Sequence, residues 1–208
     1  MPVASTAQIL TIGHSTRTLD DFIGILRAHG VERVVDIRTI PRSRHNPQFN
    51  QETLSEKLKE SAIDYVLMKQ LGGLRHPKPD SPNMGWKNSS FRGFADYMQT
   101  QAFAKGVNQL IGLPQDGLVV IMCAEVLPWQ CHRWLIADAL TIRGVQVEHI
   151  MTIKKRTKHS LTRWAHVEGT KITYRRAQPN PFRADMLFPK QTCLQTRSRS
   201  VRLDISWH

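Results

Sequence analysis

Cysteine is scarce in this chain. There are three, at 123, 131 and 193, and an odd number of widely spaced thiols does not build a disulfide framework. No stretch approaches the roughly 18 apolar residues of a helical membrane span, and no basic segment followed by an apolar run lies near Met1. These absences argue against a secreted disulfide scaffold and a helical membrane protein, so a reducing cytoplasm is the expected compartment and no membrane partner is expected. Gly-x-Gly-x-x-Gly and the Walker-type phosphate loop are missing as well, which leaves dinucleotide and nucleoside triphosphate binding without motif support.

Acidic residues are sparse in one part only. Residues 1–150 hold 16 Lys+Arg against 14 Asp+Glu, whereas residues 151–208 hold 13 against 3, so nearly all of the net charge of +12 sits in the last 58 residues. A charge so placed suits a polyanionic partner such as nucleic acid, or serves as a solubilising tail. The expected division is an α/β core over 1–150, a basic extension over 151–176 packed on that core, and a disordered basic tail over 177–208.

What is present over 1–150 is an alternation of short apolar runs and helical stripes. Gln8–Ile12, Val31–Ile37, Ile63–Leu67, Leu118–Met122 and Val145–Ile150 read as five strands. Between them, Thr18–Ala28 carries apolar residues at 19, 22, 23, 25 and 26 with Thr18 as N-cap, Asn50–Lys59 places Leu54 and Leu58 one turn apart, and Phe91–Leu110 and Cys131–Ile142 read as helices. Helices between strands imply parallel pairing and right-handed crossovers, hence an open, doubly wound, mostly parallel α/β sheet of about five strands with flanking helices and a basic C-terminal appendage. An order of 3-2-1-4-5 is assumed. Past Met151 the pattern weakens to a basic run at 154–158, a short helix around 161–167 and a strand fragment at 171–174. Residues 74–90, rich in Pro, Gly, Asn and Ser, read as a long loop of the kind that often forms a lid.

Parallel strands gather the residues after each strand on one edge, where ligands of such sheets bind. Gly13, His14, Ser15 and Arg17 follow the first strand; Asp36, Arg38, Arg42 and Arg44 the second; Gly72 and Gly73 the third; Cys123 and Glu125 the fourth, with His132 and Arg133 opening the next helix. The arginines suit carboxylate or phosphate oxygens, so an anionic small molecule or nucleotide is the expected substrate. His14 and His132 suit proton transfer near neutral pH, Glu125 and Asp36 suit a base or an imidazole-orienting group, and Cys123 beside cations suits a nucleophile. Each has a plainer reading: Asp36 in a salt bridge, Cys123 as a buried apolar residue, His149 as a structural histidine, Arg42 and Arg44 as solvated charges.

Other chemistries fit less well. A phosphatase-type cradle needs Cys and Arg on one tight loop, but no Arg follows Cys123 until Arg133. Zinc has Cys123, Cys131, His132 and also His14 as candidate ligands, yet their spacing lacks the tight pair of structural sites, so neither a metal nor a cofactor is expected. Two alternatives to an enzyme stay open: a nucleic-acid-binding accessory protein using residues 151–208 with Trp129, Trp134 and Trp164 as stacking platforms, although Trp134 in a helix fits core packing better, and a thiol redox or metal sensor.

Thr11–Ser15, Val35–Arg38, Pro41–Arg44, Leu71–Gly73, Phe94–Met98, Cys123–Glu125 and Cys131–Arg133, in this order, resemble the domain of unknown function 488 family over about residues 8–176. The resemblance implies that the polar strand-exit residues are a shared pattern. It carries no assigned activity.

Overall fold

The computed structural model describes residues 7–113 and 117–176. Five parallel strands, β1 (Gln8–Gly13), β2 (Val31–Asp36), β3 (Asp64–Leu67), β4 (Leu118–Cys123) and β5 (Gln146–Thr152), form one sheet, closed at one edge by the antiparallel β6 (Lys155–Lys158). The sheet order is β3-β2-β4-β1-β5-β6. The assumed order is thus corrected: β4 lies between β1 and β2. Both strands are buried on both faces, residues 119–122 in β4 and 9–12 in β1, as the middle of a parallel sheet requires, so their apolar runs do not by themselves choose which lies beside β2.

Helices cover both faces. On one, α1 (Leu19–Ala28) and α2 (Gln51–Glu60) bury Phe22, Leu26, Leu54 and Leu58 against Leu10, Ile12, Val34, Val120 and Met122. On the other, α3 (Ser89–Tyr97), α4 (Gln101–Ile111) and α5 (Arg133–Thr141) bury Phe94, Phe103, Val107, Leu135 and Ile136 against Ile9, Val35, Val119 and Ile121. Thr18 caps α1 by accepting from the Asp21 amide, and Gly30, at φ +68°, turns the chain out of it.

Three local expectations change. The single helix over 91–110 is two, because Thr100 stops α3 by donating to the Tyr97 carbonyl and caps α4 by accepting from the Phe103 amide. Residues 161–167 form no helix. Thr162 is held by Asp138 through both its amide and its hydroxyl, and the chain then enters a hairpin of β7 (His166–Glu168) and β8 (Lys171–Thr173) turned at Gly169, φ +60°. The 74–90 stretch is pinned, with the Asp96 carboxylate accepting from the Lys78 amide, the Ser81 hydroxyl and the Asn83 side-chain amide. It is a fixed wall.

Asp138 anchors a second buried network. Its carboxylate accepts from His159 Nε2, the Thr162 amide and hydroxyl, and the Tyr174 hydroxyl, while His159 Nδ1 accepts from His149 Nε2 and His149 Nδ1 meets the Thr11 hydroxyl at 2.7 Å. His149 is therefore a structural group. The expected tail over 177–208 lies outside the described residues, and among those described no helix is long and apolar enough to cross a membrane.

Candidate functional site

The central place of β4 sets what surrounds its exit. β1 continues pairing past the strand end, with the His14 and Ser15 amides donating to the Cys123 and Ala124 carbonyls at 2.9 Å, and Ser15 adopts φ +55° to do so. The chain then folds back over Gly13, where a Cβ would stand 1.7 Å from the Glu125 carbonyl oxygen. Only glycine fits there. Arg133, 1% exposed, donates through Nη1 to the Glu125 carbonyl and through Nη2 to the Val126 carbonyl, and Arg17 donates to the Gly13 carbonyl. Arg133, Arg17 and Gly13, expected to contact substrate, thus shape the loop after β4.

On the other side of β4, β2 delivers Asp36 and Arg38. Asp36 is fully buried and accepts from the Arg38 amide, Nε and Nη2 and from the Tyr65 hydroxyl. With its lone pairs so occupied it positions Arg38 and sits behind the cavity, not in its lining as a base. Burial, with the neighbouring Asp36 charge, raises the Tyr65 hydroxyl well above its ordinary pKa, so it stays a donor.

His14 donates from Nδ1 to the Ser15 carbonyl at 2.8 Å and accepts at Nε2 from Arg38 Nη1 at 3.3 Å, stacked on Phe49 at 4.2 Å. Burial lowers it to about 4 against the opposing Ser15 hydrogen bond, with the Arg38 charge acting in the same direction as burial. It is neutral at physiological pH and orients a guanidinium. The Arg38 charge is thereby compensated on its inner side, while its outer edge lines the space above β4.

That space is a cavity of about 310 Å³. Its floor holds Cys123 at the end of β4, Cys131 after a 3₁₀ turn over Pro128–Gln130, and His132 at the start of α5. His132 Nδ1 lies 3.9 Å from Cys123 Sγ and 3.8 Å from Cys131 Sγ, and the three donor atoms lie within 4.8 Å of one another. His132 Nε2 is buried with no partner among the described residues. A hydrogen bond to Cys131, added to burial, pushes the Cys123 thiol well up. Burial opposes ionisation of Cys131 too, but hydrogen bonds from Cys123 and His132 and the Arg133 charge outweigh it and hold that thiol well below the ordinary range.

The glycines after β3 fit against this floor. A Cβ on Gly72 would meet Thr39 Oγ1 at 2.5 Å, and one on Gly73 would meet the His132 ring at 3.0 Å, so Gly73 packs as a flat surface on the imidazole. Phe94 closes the far side, its ring 5.0 Å from that of His132. At the mouth stand Ile40, 61% exposed, Leu74, 72% exposed, and the exposed Glu125, whose carboxylate has no hydrogen bond or ion pair among the described residues. A neighbouring hollow of about 330 Å³ shares Arg38, Ile40, Ala124 and Glu125 and adds His14, Ser15, Arg42 and Asn46. Arg42 is exposed and pairs with Glu52 at 3.2 Å; Arg44 is exposed and lines neither hollow.

Of the residues expected to act, the fold brings Cys123, His132, Glu125, Arg38 and Gly73 to one cavity. Cys131, weighed in the sequence only as a metal ligand and not as an acting group, belongs at its centre, and the signal for it was the helix start that places Cys131 and His132 side by side. The long Cys123–Cys131 separation, which argued against a metal, does not keep the donors apart, because the loop between them folds back over Gly13. Trp134 packs inside the fold, the better of its two readings. It stacks on His149 and donates to Thr162 Oγ1, whereas Trp129 is about half exposed.

Fold and site together define a doubly wound α/β protein with a cysteine–histidine cavity at the carboxyl edge of its sheet. The chain belongs to the family described as Domain of unknown function DUF488, which matches residues 18–140, more than half of its length. No curated protein and no solved structure matches the chain.

Proposed function

We propose that this protein is an enzyme acting on a small phosphate- or nucleotide-bearing substrate held across the two hollows at the sheet edge. The observation that carries the reading is the division of labour between them: two thiols and an imidazole converge under an apolar mouth, while the adjoining hollow is polar and carries Arg42 and the outer edge of Arg38. The less polar part of the substrate lies between Ile40 and Leu74 with its reacting atom over Cys123, Cys131 and His132. Its anionic end lies toward Arg42. Glu125, at the rim of both hollows and unpartnered among the described residues, is the group placed to exchange a proton with the substrate.

The test is ligand binding followed by turnover. Nucleoside monophosphates, their parent nucleosides and inorganic phosphate are screened by thermal shift, and binders are followed for conversion by mass spectrometry. A phosphorylated member of the panel is expected to raise Tm, and Ala124→Trp, which fills the space both hollows share, to abolish the shift. Glu125→Gln should retain binding and lose turnover. Equal binding by wild type and Ala124→Trp would remove the site.

A second reading, nucleic-acid binding, is favoured by β6. All four of its residues are exposed on an edge strand, and Lys155 and Lys158 stand there beside Lys154.

A further inference from the structure

We propose that Cys123, Cys131 and His132 form a binding site for one thiophilic divalent cation, zinc being the best match, with its fourth coordination position open to the cavity. Zinc bonds sulfur at about 2.3 Å and imidazole nitrogen at about 2.0–2.1 Å, so tetrahedral angles set sulfur and nitrogen about 3.6 Å apart. His132 Nδ1 stands 3.8 Å and 3.9 Å from the two Sγ atoms, and all three donors lie within 4.8 Å. The two sulfur–nitrogen separations need shifts of only a few tenths of an ångström to accept an ion.

The donor set selects the ion. Two thiols and an imidazole, with no carboxylate among the three, disfavour magnesium and calcium and suit zinc. The sulfurs are also the only polar partners this imidazole has, since Nε2 is buried and unpartnered among the described residues. Nδ1, which faces both sulfurs, is the nitrogen in position to join them.

The donors are held on rigid supports: Cys123 closes β4, Cys131 ends the Pro128–Gln130 turn, and His132 opens α5 with Gly73 and Phe94 against its ring. Arg133, buried directly behind, supplies positive charge beside two thiolates. Because three protein donors converge among the described residues and all three line the cavity, the site is of the open kind that keeps one position for water or substrate. This deepens the reading above by naming what occupies the floor of the same cavity, and rests on it only for what fills that fourth position.

The experiment is a Co(II) titration of the full chain, reduced and stripped with a chelator. Expected are one equivalent bound, the visible bands of a tetrahedral site, a near-ultraviolet thiolate-to-cobalt charge-transfer band, and displacement by Zn(II). Cys131→Ser should roughly halve the charge-transfer intensity, His132→Asn should weaken binding at least tenfold or so, and Cys193→Ser should change nothing. No charge-transfer band with the folded wild-type chain overturns the proposal, as does a spectrum unchanged in both Cys123→Ser and Cys131→Ser. The wild-type titration decides the matter even where a variant fails to fold. Cobalt uptake needs no substrate, so its failure leaves the substrate reading standing, and failure of the nucleotide screen leaves the cation site standing.

Discussion

A Cβ on Gly13 would stand 1.7 Å from the carbonyl oxygen of Glu125, and the same carbonyl accepts from the Arg133 guanidinium. Glycine on β1 and arginine on α5 therefore meet at one carbonyl of the loop after β4, the same Cβ standing 3.2 Å from Arg133 Nη1. The loop is what separates Cys123 from Cys131 in sequence and what must double back for their sulfurs to meet.

Gly13→Ala should accordingly disturb the site as well as the fold. Overpacking of this kind costs about 1–3 kcal/mol, and here the obstacle is backbone, which yields only by moving the loop. Urea denaturation should show the loss, and Co(II) binding should weaken in the fraction that remains folded. A variant as stable as wild type with unaltered cobalt spectra would mean that the loop does not need this approach.

Arg133→Lys tests the arginine's hold on the same loop. One ammonium cannot reproduce the fork that spans the Glu125 and Val126 carbonyls, and at least one of them is left without a buried donor, at a cost of about 1–3 kcal/mol. Chemical denaturation measures it. If Arg133 were instead a substrate clamp, stability would hold and ligand affinity alone would fall.

Much of the architecture was legible in sequence because its signals are local. The five parallel strands, the α1 stripe capped by Thr18 and the α5 stripe follow from apolar periodicity, which each residue reports about its own neighbours. Strand order is not local. The exchange of β1 and β4 turns on which apolar strand takes the centre, and Gln8–Ile12 and Leu118–Met122 read almost alike. The arginines show the same limit at the site: their number at the strand exits was plain, but whether Arg17, Arg38 and Arg133 face a ligand or backbone carbonyls depends on loops packed from distant parts of the chain. The nearness of Cys131 to Cys123 was not legible for this reason as well, since only the fold-back over Gly13 brings the two together.

Asp138→Asn should be among the most damaging single changes outside the cavity. The carboxylate accepts four hydrogen bonds from His159, Thr162 and Tyr174, and an amide offers one acceptor oxygen and turns a donor toward the rest. A loss of about 3–5 kcal/mol is expected, with Tyr174→Phe costing about 1 kcal/mol. Hydrogen exchange should locate the effect in residues 159–174. Uniform protection in both proteins would show that this network does not hold that segment to α5.

If β6 binds nucleic acid, replacing Lys154, Lys155 and Lys158 by Gln should lower affinity for a mixed-sequence duplex and reduce the salt slope by up to about 0.9 per lost phosphate contact. Arg156 is left in place because it pairs with Glu148 at 3.2 Å. Fluorescence anisotropy across a range of salt concentrations gives both numbers. Affinity and slope equal to wild type would remove β6 from any such interface.

The buried histidines fix how stability depends on pH. Burial lowers His149 from 6.5 to about 3, with the His159 and Arg133 charges acting in the same direction. Between these values the unfolded chain binds a proton at this position that the native state refuses, so the contribution is intact above pH 6.5 and is lost as pH falls toward 3. The slope is about 1.4 kcal/mol per pH unit for one group, and His14, lowered to about 4, adds to it with the same sign. Urea titrations at successive pH values from neutral downward should show His149→Gln less stable at neutral pH but flatter by about one proton. Long-range nitrogen–proton NMR should find the His149 ring still neutral at about pH 5, where an unperturbed histidine is almost wholly charged. A His149 titration midpoint near the ordinary value would break the Thr11–His149–His159–Asp138 chain at its second member.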